Sequence, residues 1–540
     1  MTQDITTKTK ALIDDLKSVC ASYGLGNSGD EYKIITQAFL FKFLNDKFAH
    51  EVKILDPKLA KAENWEEEVA KYSEKDYAKL LHRLGPENAK LERHHTLSHL
   101  FKNQNREEFH KLFDDTLRQV AILNTDIFSV KEDTDEKIIL FDELSQTINS
   151  PSKRDAFCRA LVNKLVPFSF ESIFRQKHDF FATIFEYLIK DYNKDGGGKY
   201  AEYYTPHAIA KIMAAILVDG PVQNVTCYDP SGGTGQLLMS LAHAIGEDKC
   251  SLYAEDISQK SSSMLRLNLV LNKLVHSIPN IIQGDTIRNP YLGGSWPALF
   301  DYTVSNPPFK LDFSDYRDEL DSKENKDRFF AGIPKVPNKK KDSMSIYLLF
   351  IQHIMHTLGP KGKAAIVVPT GFVTAQSGIE YKIREQLVER RMLRGVVGMP
   401  SNISATTGTN VSVLFLDKTN KKGDIVLMDA SKLGTTIKEG KNQKTLLSAE
   451  EEDSIINTFN KCEAVDDFAV VLSYEEIAAK SYSFSAGQYF DVKLGHVAIT
   501  TIEFKKKMDH HRSTLADLFA KSDDLKKRIE SDLKQLQLRA

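Results

Sequence analysis

Residues 305–309 read Ser-Asn-Pro-Pro-Phe and combine an amide, two rigid rings and an aromatic side chain. They follow a short apolar run, residues 299–304, that predicts a buried β-strand. Proline fixes the backbone and removes a hydrogen-bond donor, so nearby carbonyl groups remain available as acceptors. With the side-chain carbonyl of Asn306 and the flat face of Phe309, they form a pocket suited to a planar heterocycle that carries an exocyclic amino group. The alternative interpretation is an ordinary Asn-Pro turn.

A glycine-rich turn upstream lies between a predicted strand and a predicted helix. Residues 229–235 read Asp-Pro-Ser-Gly-Gly-Thr-Gly, and an apolar helical run follows at 237–245. A strand, a glycine turn and a helix in this order open a doubly wound α/β sheet, in which ligands bind at the carboxyl ends of the strands. The turn lacks the Gly-Lys-Ser/Thr of a phosphate loop and the glycine spacing of a dinucleotide fingerprint. The carboxylate of Asp229 would repel a pyrophosphate and suits a ligand ammonium or hydroxyl group.

Two further predicted strands end in acidic residues. Glu255 and Asp256 follow an apolar run at 251–254, and Asp285 follows the next apolar run. An acid at the tip of the second strand of such a sheet typically accepts hydrogen bonds from ribose hydroxyls. We assign this role to Asp256, with Glu255 as the second candidate. The alternative is that these carboxylates cap the helix that begins near Ser258.

The combined motifs resemble those of the S-adenosylmethionine-dependent amino-methyltransferases of DNA. A Tyr-Thr-Pro segment at 204–206 precedes the glycine turn, and the Asn-Pro-Pro-Phe motif follows it, which is the order of the gamma arrangement of adenine methyltransferases. Further similarity lies at 364–372, 394–400 and 407–416. The sequence most resembles the modification (methyltransferase) subunit of type I restriction–modification systems, and this resemblance is strong from about 168 to 418.

The resemblance implies a site that holds S-adenosylmethionine beside a target base, without a metal. In the family, the Tyr-Thr-Pro segment helps to hold the methionine end of the cofactor, and the acid after the third strand is expected to hold its adenine. The implied catalytic residues are Asn306, Pro307, Pro308 and Phe309. The implied cofactor-binding residues are Tyr204, Thr205, Pro206, Asp229, Ser231, Gly233, Thr234, Gly235, Glu255, Asp256, Asp285 and Thr286.

The implied chemistry is methyl transfer to the N6 amine of adenine. The Asn306 side chain and the backbone carbonyl of Pro307 would accept both amine hydrogens, which favours a pyramidal nitrogen and stabilises the charge that develops on it. No strong general base is required, because the methylated ammonium is very acidic. Since N6 is unreachable inside a duplex, the adenine must be flipped out. Stacking on Phe309 would offset part of the unstacking cost, by roughly 1–3 kcal/mol.

Composition predicts a multidomain protein of the reduced cytoplasm. The 540 residues imply two or three domains. The five cysteines are scattered without a Cys-x-x-Cys pair, which argues against a disulfide scaffold or a zinc module. No basic-then-apolar signal begins the chain, and no apolar run reaches the ~18 residues of a membrane helix. We therefore expect a cytoplasmic protein with no membrane contact.

The charge balance bears on how the protein would hold DNA. The net charge is −2, whereas a protein that grips DNA alone usually carries a basic surplus. Other chains are therefore expected to supply part of the grip. A segment at about 311–342 is dense in Asp, Lys and Arg, and we predict that it is flexible and closes over DNA. Its basic patch at 335–341 is equally consistent with a solvated loop.

The predicted fold class is α/β, with four regions along the chain. Residues 1–165 form an all-helical N-terminal domain, because apolar residues recur at spacings of three and four. Residues 166–430 form a doubly wound, Rossmann-like S-adenosylmethionine-dependent methyltransferase core. Residues 431–500 form a mixed extension, and residues 501–540 form a C-terminal helical tail. Apolar residues fall near heptad spacing in the tail, at Leu515, Leu518, Leu525, Ile529, Leu533 and Leu536.

The predicted function is site-specific N6-adenine methylation of DNA, as the modification subunit of a type I complex. Double-stranded DNA and a specificity subunit are the expected partners, and the resemblance assigns the C-terminal helix to the specificity subunit. A second copy of the chain and a restriction (translocase and nuclease) subunit are further expected partners. The alternatives are an amino-methyltransferase that acts alone on cytosine N4 or on an amide or amine outside DNA, and a non-catalytic assembly subunit. The target sequence, stoichiometry and hemimethylation preference are not encoded in these motifs.

Overall fold

The structure is a computed structural model that describes most of the chain. The described residues are 2–26, 28–85, 88–125, 130–132, 137–138, 141–171, 174, 205–291, 299–403, 410–439, 442–490 and 500–537. The predicted cofactor residue Tyr204 lies outside them. The chain divides into two compact units, Met1–Tyr489 and Phe490–Ala540, which are described separately.

The N-terminal part is built mainly from helices. The described helices are α1 (Thr2–Ser22), α2 (Gly29–Leu55), α3 (Pro57–Lys61), α4 (Trp65–Ala70), α5 (Glu74–Arg83), α6 (Leu97–Lys102), α7 (Phe109–Leu123) and α8 (Pro151–Leu165). Polar residues start several of them; the Ser28 hydroxyl, for example, accepts a hydrogen bond from the Glu31 amide at 3.1 Å. Their apolar faces join one hydrophobic core that continues beneath the central sheet.

Two short strands interrupt the region that we predicted to be entirely helical. These are β1 (Val130–Glu132) and β2 (Lys137–Ile138), which pair antiparallel. β1 also pairs in parallel with a strand from the methyltransferase region, at Lys131↔Ile282. The all-helical prediction is wrong here because such short strands have too few residues for a periodic signal, and pairing with a distant strand fixes their conformation.

A mixed, mostly parallel sheet forms the centre of the first unit. Its remaining strands are β3 (Val225–Asp229), β4 (Cys250–Asp256), β5 (Ile281–Gln283), β6 (Phe300–Ser305), β7 (Leu358–Pro369), β8 (Leu393–Gly398), β9 (Val411–Asp417), β10 (Ile425–Asp429) and β13 (Ala469–Leu472). A separate hairpin consists of β11 (Thr435–Glu439) and β12 (Asn442–Leu446). The apolar runs predicted before each acidic motif are thus strands.

The strand order places the predicted motifs side by side. The sheet runs β13-β10-β8-β9-β7-β6-β3-β4-β5-β1-β2. β3 pairs in parallel with both β4 and β6, so the chain winds in one direction after β3 and in the other after β6. In open α/β sheets, ligands bind at the carboxyl ends of strands where the winding direction changes. The glycine turn after β3 and the Asn-Pro-Pro-Phe motif after β6 meet at this point.

Helices connect and cover the strands. They are α9 (His207–Leu217), α10 (Gln236–Ile245), α11 (Gln259–Leu271), α12 (Arg317–Leu320), α13 (Tyr347–Thr357), α14 (Gly371–Thr374), α15 (Gly378–Glu389), α16 (Ala449–Asn460) and α17 (Tyr474–Ala479). β13 pairs antiparallel with β10, so the chain after residue 430 adds a strand to the core sheet. The predicted domain boundary after residue 430 therefore cuts through one packed unit.

The charged segment, residues 311–342, has an apolar core of its own. Phe313, Leu320, Phe329 and Ile333 are buried together with apolar side chains that flank the sheet. A cluster of this kind anchors a segment, because each buried aromatic or aliphatic side chain contributes roughly 1.5–3 kcal/mol. The segment is therefore packed against the sheet, its lysines at 339–341 are exposed, and its closure over DNA stays a prediction.

In the second unit the structure describes one long helix, α18 (Thr501–Gln537). The described apolar side chains at the predicted stripe positions are each more than half exposed: Leu515, Leu518, Leu525, Ile529 and Leu533. Among the described residues of the whole chain, no helix combines the length and apolar content needed to span a bilayer.

Candidate active site

A cavity opens at the carboxyl ends of β3, β4, β5 and β6. Neighbouring parallel strands end at the same edge of a sheet, so this cavity collects motifs that are far apart in the sequence. The predicted residues that line it are Thr205, Asp229, Ser231, Gly233, Thr234, Asp256, Asp285, Thr286, Asn306 and Pro308. The tertiary structure thus brings together most of the site that the sequence predicts.

Five predicted site residues do not line this cavity: Pro206, Gly235, Glu255, Pro307 and Phe309. Pro206 stands directly before α9 and Pro307 is buried. Gly235 has a structural role, because its φ is +82° and a Cβ there would lie 2.1 Å from Leu265 Cδ1. Only glycine satisfies both conditions.

The carboxylate of Asp229 is enclosed by the glycine turn. Its side chain is 1% exposed, and its Oδ1 accepts hydrogen bonds from the amide and the hydroxyl of Ser231 at 3.0 and 3.2 Å. Burial raises the pKa of Asp229 to about 7, and the nearby Asp256 carboxylate acts in the same direction. A cation bound beside Asp229 would reverse this shift.

Asp256 shapes the glycine turn and also faces the cavity. Its Oδ2 accepts a hydrogen bond from the Gly233 amide at 2.8 Å, and its Oδ1 accepts one from the Ser258 amide at 2.8 Å. The cap of α11 is Ser258, whose hydroxyl accepts from the Ser261 amide. The interpretation of Asp256 as a helix cap is therefore not needed, and each of its oxygens retains a lone pair for a ligand.

Glu255 points away from the cavity into a buried polar cluster. Its Oε2 accepts a hydrogen bond from the Tyr228 hydroxyl at 2.6 Å, and its Oε1 accepts one from the Tyr291 amide at 2.7 Å. Burial raises its pKa to about 7, while these hydrogen bonds act in the opposite direction. Adjacent residues of a strand face opposite sides of the sheet, so only Asp256 of this pair lines the cavity.

The loop after β5 closes the cavity on the side of Asp285. The Asp285 Oδ1 accepts hydrogen bonds from the Ile287 and Arg288 amides at 3.0 and 3.1 Å. Thr286 donates from its hydroxyl to the Pro230 carbonyl at 2.7 Å, which joins this loop to the glycine turn. The two loops are therefore held as one wall of the cavity.

The Asn306 amide is oriented by Thr205. Its Nδ2 donates a hydrogen bond to the Thr205 Oγ1 at 3.0 Å, which leaves the side-chain carbonyl as an acceptor towards the cavity. The preceding Ser305 hydroxyl lies 2.7 Å from the Ser231 hydroxyl, so the motif is also joined to the glycine turn. An acceptor fixed in this way can bind an exocyclic amine without reorganising.

An aromatic wall stands beside the Asn-Pro-Pro-Phe motif. The ring centroid of Tyr347 lies 6.1 Å from that of Phe309 and 6.3 Å from that of Phe372, both in edge-to-face geometry. The Arg384 guanidinium, fully buried, donates to the Phe372 and Ala375 carbonyls and holds this loop in place. The sequence pattern identified only Phe309 of the three rings.

Sequence reasoning missed an apolar wall of the cavity. It is formed by Ile257, Ile287, Leu311, Ile346 and Phe350, with Tyr316 adding an aromatic side chain. Leu311 and Tyr316 come from the charged segment, and Ile346 and Phe350 lie at the start of α13. These residues are scattered along the sequence, so they could not be recognised as one wall before the fold brings them together.

The buried hydroxyl of Thr234, at the cavity, has no hydrogen-bond partner among the described residues. Buried polar groups are nearly always satisfied, and an exception at a cavity points to a ligand. The cavity therefore combines an unpaired hydroxyl, three carboxylates, an amide carbonyl and an apolar face, a set that fits a nucleoside joined to an amino acid.

Comparison with known proteins gives a consistent result. The family model described as N-6 DNA methylase matches residues 176–495, more than half of the chain. The chain is 28% identical over 370 residues to the type I restriction enzyme MpnII methylase subunit of Mycoplasma pneumoniae, covering 67% of this chain and 66% of that protein. It is 26% identical over 394 residues to the MjaIX methylase subunit of Methanocaldococcus jannaschii, covering 70% and 66%. The chain thus matches just under two thirds of the length of these relatives.

A solved structure shares the fold. The methyltransferase subunit of the type I restriction-modification system of Streptococcus thermophilus superposes with a TM-score of 0.72 at 23% identity. The superposition covers 91% of this chain and all of that one. At this level of identity the likeness concerns the architecture, a mixed and mostly parallel sheet with its covering helices.

Proposed function

This chain belongs to the N-6 DNA methylase family, and we propose that it is an adenine-specific DNA methyltransferase that uses S-adenosylmethionine. The observation that carries this proposal is the position of Asn306. Its oriented amide carbonyl faces the same cavity as the acidic ends of β3, β4 and β5. A nucleophilic amine and a nucleoside-based methyl donor would therefore meet at one point of the sheet edge.

The cavity suits S-adenosylmethionine along its length. Asp256 would accept hydrogen bonds from the ribose hydroxyls, and Asp285 would accept one from the adenine amine. Ile257 and Ile287, which line the cavity, would supply apolar contacts for the adenine ring. Asp229 would bind the ammonium group of the methionine portion, whose charge compensates the burial of the carboxylate. When bound, S-adenosylmethionine supplies a methyl group that its sulfonium already activates.

Asn306 would act on the target amine. Its carbonyl and the backbone carbonyl of Pro307 would accept the two N6 hydrogens, which directs the nitrogen lone pair out of the base plane. These hydrogen bonds strengthen as positive charge develops on nitrogen, so they stabilise the transition state more than the ground state. Thr205 would keep the amide carbonyl turned towards the base.

The aromatic wall supports the binding of an everted base. Phe309 offers a partly exposed ring next to Asn306; Tyr347 packs edge-to-face against that ring and is itself packed against Phe372. Base–aromatic stacking contributes roughly 1–3 kcal/mol, which would offset part of the free-energy cost of removing a base from the duplex. The arrangement favours a planar purine over a flexible amide side chain as the substrate.

We also propose that the chain works inside a larger assembly in the cytoplasm. The relatives named above are methylase subunits of type I restriction enzymes, and α18 carries an exposed apolar stripe. A specificity subunit with helices of its own would cover that stripe and supply recognition of double-stranded DNA. A second copy of this chain and a restriction subunit would complete the assembly.

The decisive experiment measures methyl transfer by the purified complex with its specificity subunit. Tritiated methyl from S-adenosylmethionine should appear on adenine N6 of DNA. Asn306→Ala should lower the transfer rate by at least a hundredfold while the dissociation constant for the cofactor stays within about threefold, because the amide is worth roughly 3 kcal/mol in the transition state. Label on cytosine, on protein or on no acceptor would contradict the proposal.

A further inference from the structure

Four buried polar side chains form a chain of hydrogen bonds directly behind the cavity. They are Tyr228 on β3, Glu255 on β4, Arg328 in the charged segment and His353 on α13, with exposures between 1% and 6%. None of the four lines the cavity. Because they lie behind three loops that face the cavity, these side chains are placed to hold those loops in position.

The direction of this chain of hydrogen bonds follows from which groups can donate. The Arg328 Nε lies 3.0 Å from His353 Nδ1, and a guanidinium can only donate, so Nδ1 is an acceptor. Since Nδ1 accepts this hydrogen bond, it carries no hydrogen and the ring of His353 is neutral, in agreement with the burial that lowers its pKa. Its hydrogen therefore sits on Nε2 and points to the Tyr228 hydroxyl at 3.0 Å. Tyr228 in turn donates to Glu255 at 2.6 Å.

Every link thus donates in the same sense, from the guanidinium to the carboxylate. The guanidinium at one end and the carboxyl group at the other are linked through two neutral side chains, and the charge of Arg328 lowers the pKa of Glu255 against the effect of burial. Buried charges are tolerated when they are paired and hydrogen-bonded. The chain requires an acceptor at Glu255 and a donor at Arg328, so neither end can be exchanged alone.

The remaining nitrogens of Arg328 hold the cavity wall. Nη1 donates to the Ile287 carbonyl at 2.9 Å, and Nη2 donates to the Thr286 carbonyl. Thr286 is joined to the glycine turn through the Pro230 carbonyl. The same segment that carries Arg328 also contributes Leu311 and Tyr316 to the cavity. Arg328 therefore connects the charged segment, the loop after β5 and the chain of buried hydrogen bonds.

We propose that Arg328 is a positioning residue for the cofactor: it holds the loop at 285–287 in its binding geometry, and the chain through His353 and Tyr228 to Glu255 sets its orientation. This inference rests on the proposed function, since it assumes that the cavity binds S-adenosylmethionine. Glu255 then serves as the counter-ion of the chain and not as a ribose ligand. Arg328 acts without touching the cofactor.

The test compares substitutions in the full-length protein by calorimetric titration with S-adenosylmethionine. Arg328→Met should raise the dissociation constant at least tenfold, and Arg328→Lys should restore part of the loss, because one ammonium can reach some of the acceptors. Hydrogen exchange of the free protein should accelerate at residues 284–291 in Arg328→Met. Arg317→Met is the matched control: its partners Asp318, Asp321 and Pro334 all belong to the charged segment, and it should bind as the wild type does.

If Arg328→Met does not fold, Glu255→Gln tests the same inference. The substitution preserves shape but places an NH₂ donor where either Tyr228 or the Tyr291 amide donates, so it should weaken cofactor binding at least fivefold. Wild-type dissociation constants and exchange rates in Arg328→Met, or in Glu255→Gln where the former is unfolded, would overturn the inference. If the wild type itself does not bind S-adenosylmethionine, the proposed function fails first, which is a distinguishable result.

Discussion

At the scale of single residues, the two ends of the Asn306 amide have separate tasks. The nitrogen donates to the Thr205 hydroxyl within the protein, and under the proposed function the oxygen would accept from a substrate amine. An amide that is free to rotate would present its donor end half of the time, so its fixation would contribute to the proposed catalysis. The sequence predicted Thr205 as a cofactor residue, and its contact with Asn306 adds a second role.

Thr205→Val should separate these roles. Valine keeps the shape but cannot accept the hydrogen bond from Asn306, so the methyl-transfer rate at saturating cofactor should fall about ten- to a hundredfold, as expected for a lost hydrogen bond in a buried site. Thr205→Ser retains the acceptor and should stay within about threefold of the wild type. Equal losses in the two variants would show that the methyl group, and not the hydroxyl, is what matters.

The burial of Asp229 predicts a pH dependence. Its folded-state pKa of about 7 lies above the ordinary value of 3.8, so the folded protein binds the proton more tightly than the unfolded chain does. The contribution of Asp229 to the free energy of unfolding therefore decreases as pH rises from about 4 to 7. Ionised Asp229 would bind the cofactor ammonium, so cofactor affinity should increase over the same interval.

Asp229→Asn should stabilise the free protein at pH 8, on the order of 2 kcal/mol, because it removes the buried charge. The gain should be smaller at pH 5, and cofactor binding should weaken at both values. Urea unfolding at the two pH values, together with calorimetric titration, measures these effects. The exposed Asp315→Asn should leave both quantities unchanged, and a destabilised Asp229→Asn protein at pH 8 would contradict the prediction.

At the scale of elements, the strand-turn-helix units were predictable because their chemistry is local. The apolar runs before Asp229, Glu255 and Asn306 each form a strand, and the glycine turn opens α10. β1 and β2 were missed because pairing with β5 fixes them, and β13 was missed as part of the core because it pairs with β10. Strand pairing depends on residues that are far apart in the sequence, so local periodicity does not reveal it.

Gly235→Ala tests how tightly the glycine turn packs on α11. Gly235 and Gly24 share almost the same φ, +82° and +81°, but only at Gly235 would a Cβ meet a buried side chain, Leu265. Gly24→Ala should therefore cost only the left-handed backbone penalty, roughly 1–2 kcal/mol. Gly235→Ala should cost a further 1–3 kcal/mol or so for overpacking. Urea unfolding measures both, and equal losses would argue against the clash.

At the scale of the whole molecule, the near-neutral charge and the exposed stripe of α18 support the proposal that the protein works within an assembly. A net charge of −2 gives no general attraction to DNA. A helix whose apolar residues lie on one side and are more than half exposed gains stability when a partner helix covers them. Recognition and grip are therefore expected to be shared between chains, whereas the chemical site belongs to this one.

Leu525→Glu should disrupt that assembly without affecting the methyltransferase unit. A charge in the centre of the stripe would have to be buried on contact, so co-purification with the specificity subunit should fall sharply. Cofactor binding should stay unchanged. Ser531→Glu adds the same charge away from the stripe and is the matched control. Full retention of the partner by Leu525→Glu would show that another surface makes the contact.

Residue types and their spacing were sufficient to predict the chemistry that we propose for the site. An amide before two prolines, glycines before a helix and acids after strands are readable without coordinates. Three features became apparent from the tertiary structure alone. Asp256 faces the cavity whereas Glu255 does not, Thr205 orients Asn306, and Arg328 supports the loop after β5. These contacts join residues separated by long stretches of chain, and their partners are chosen by the packing of the sheet.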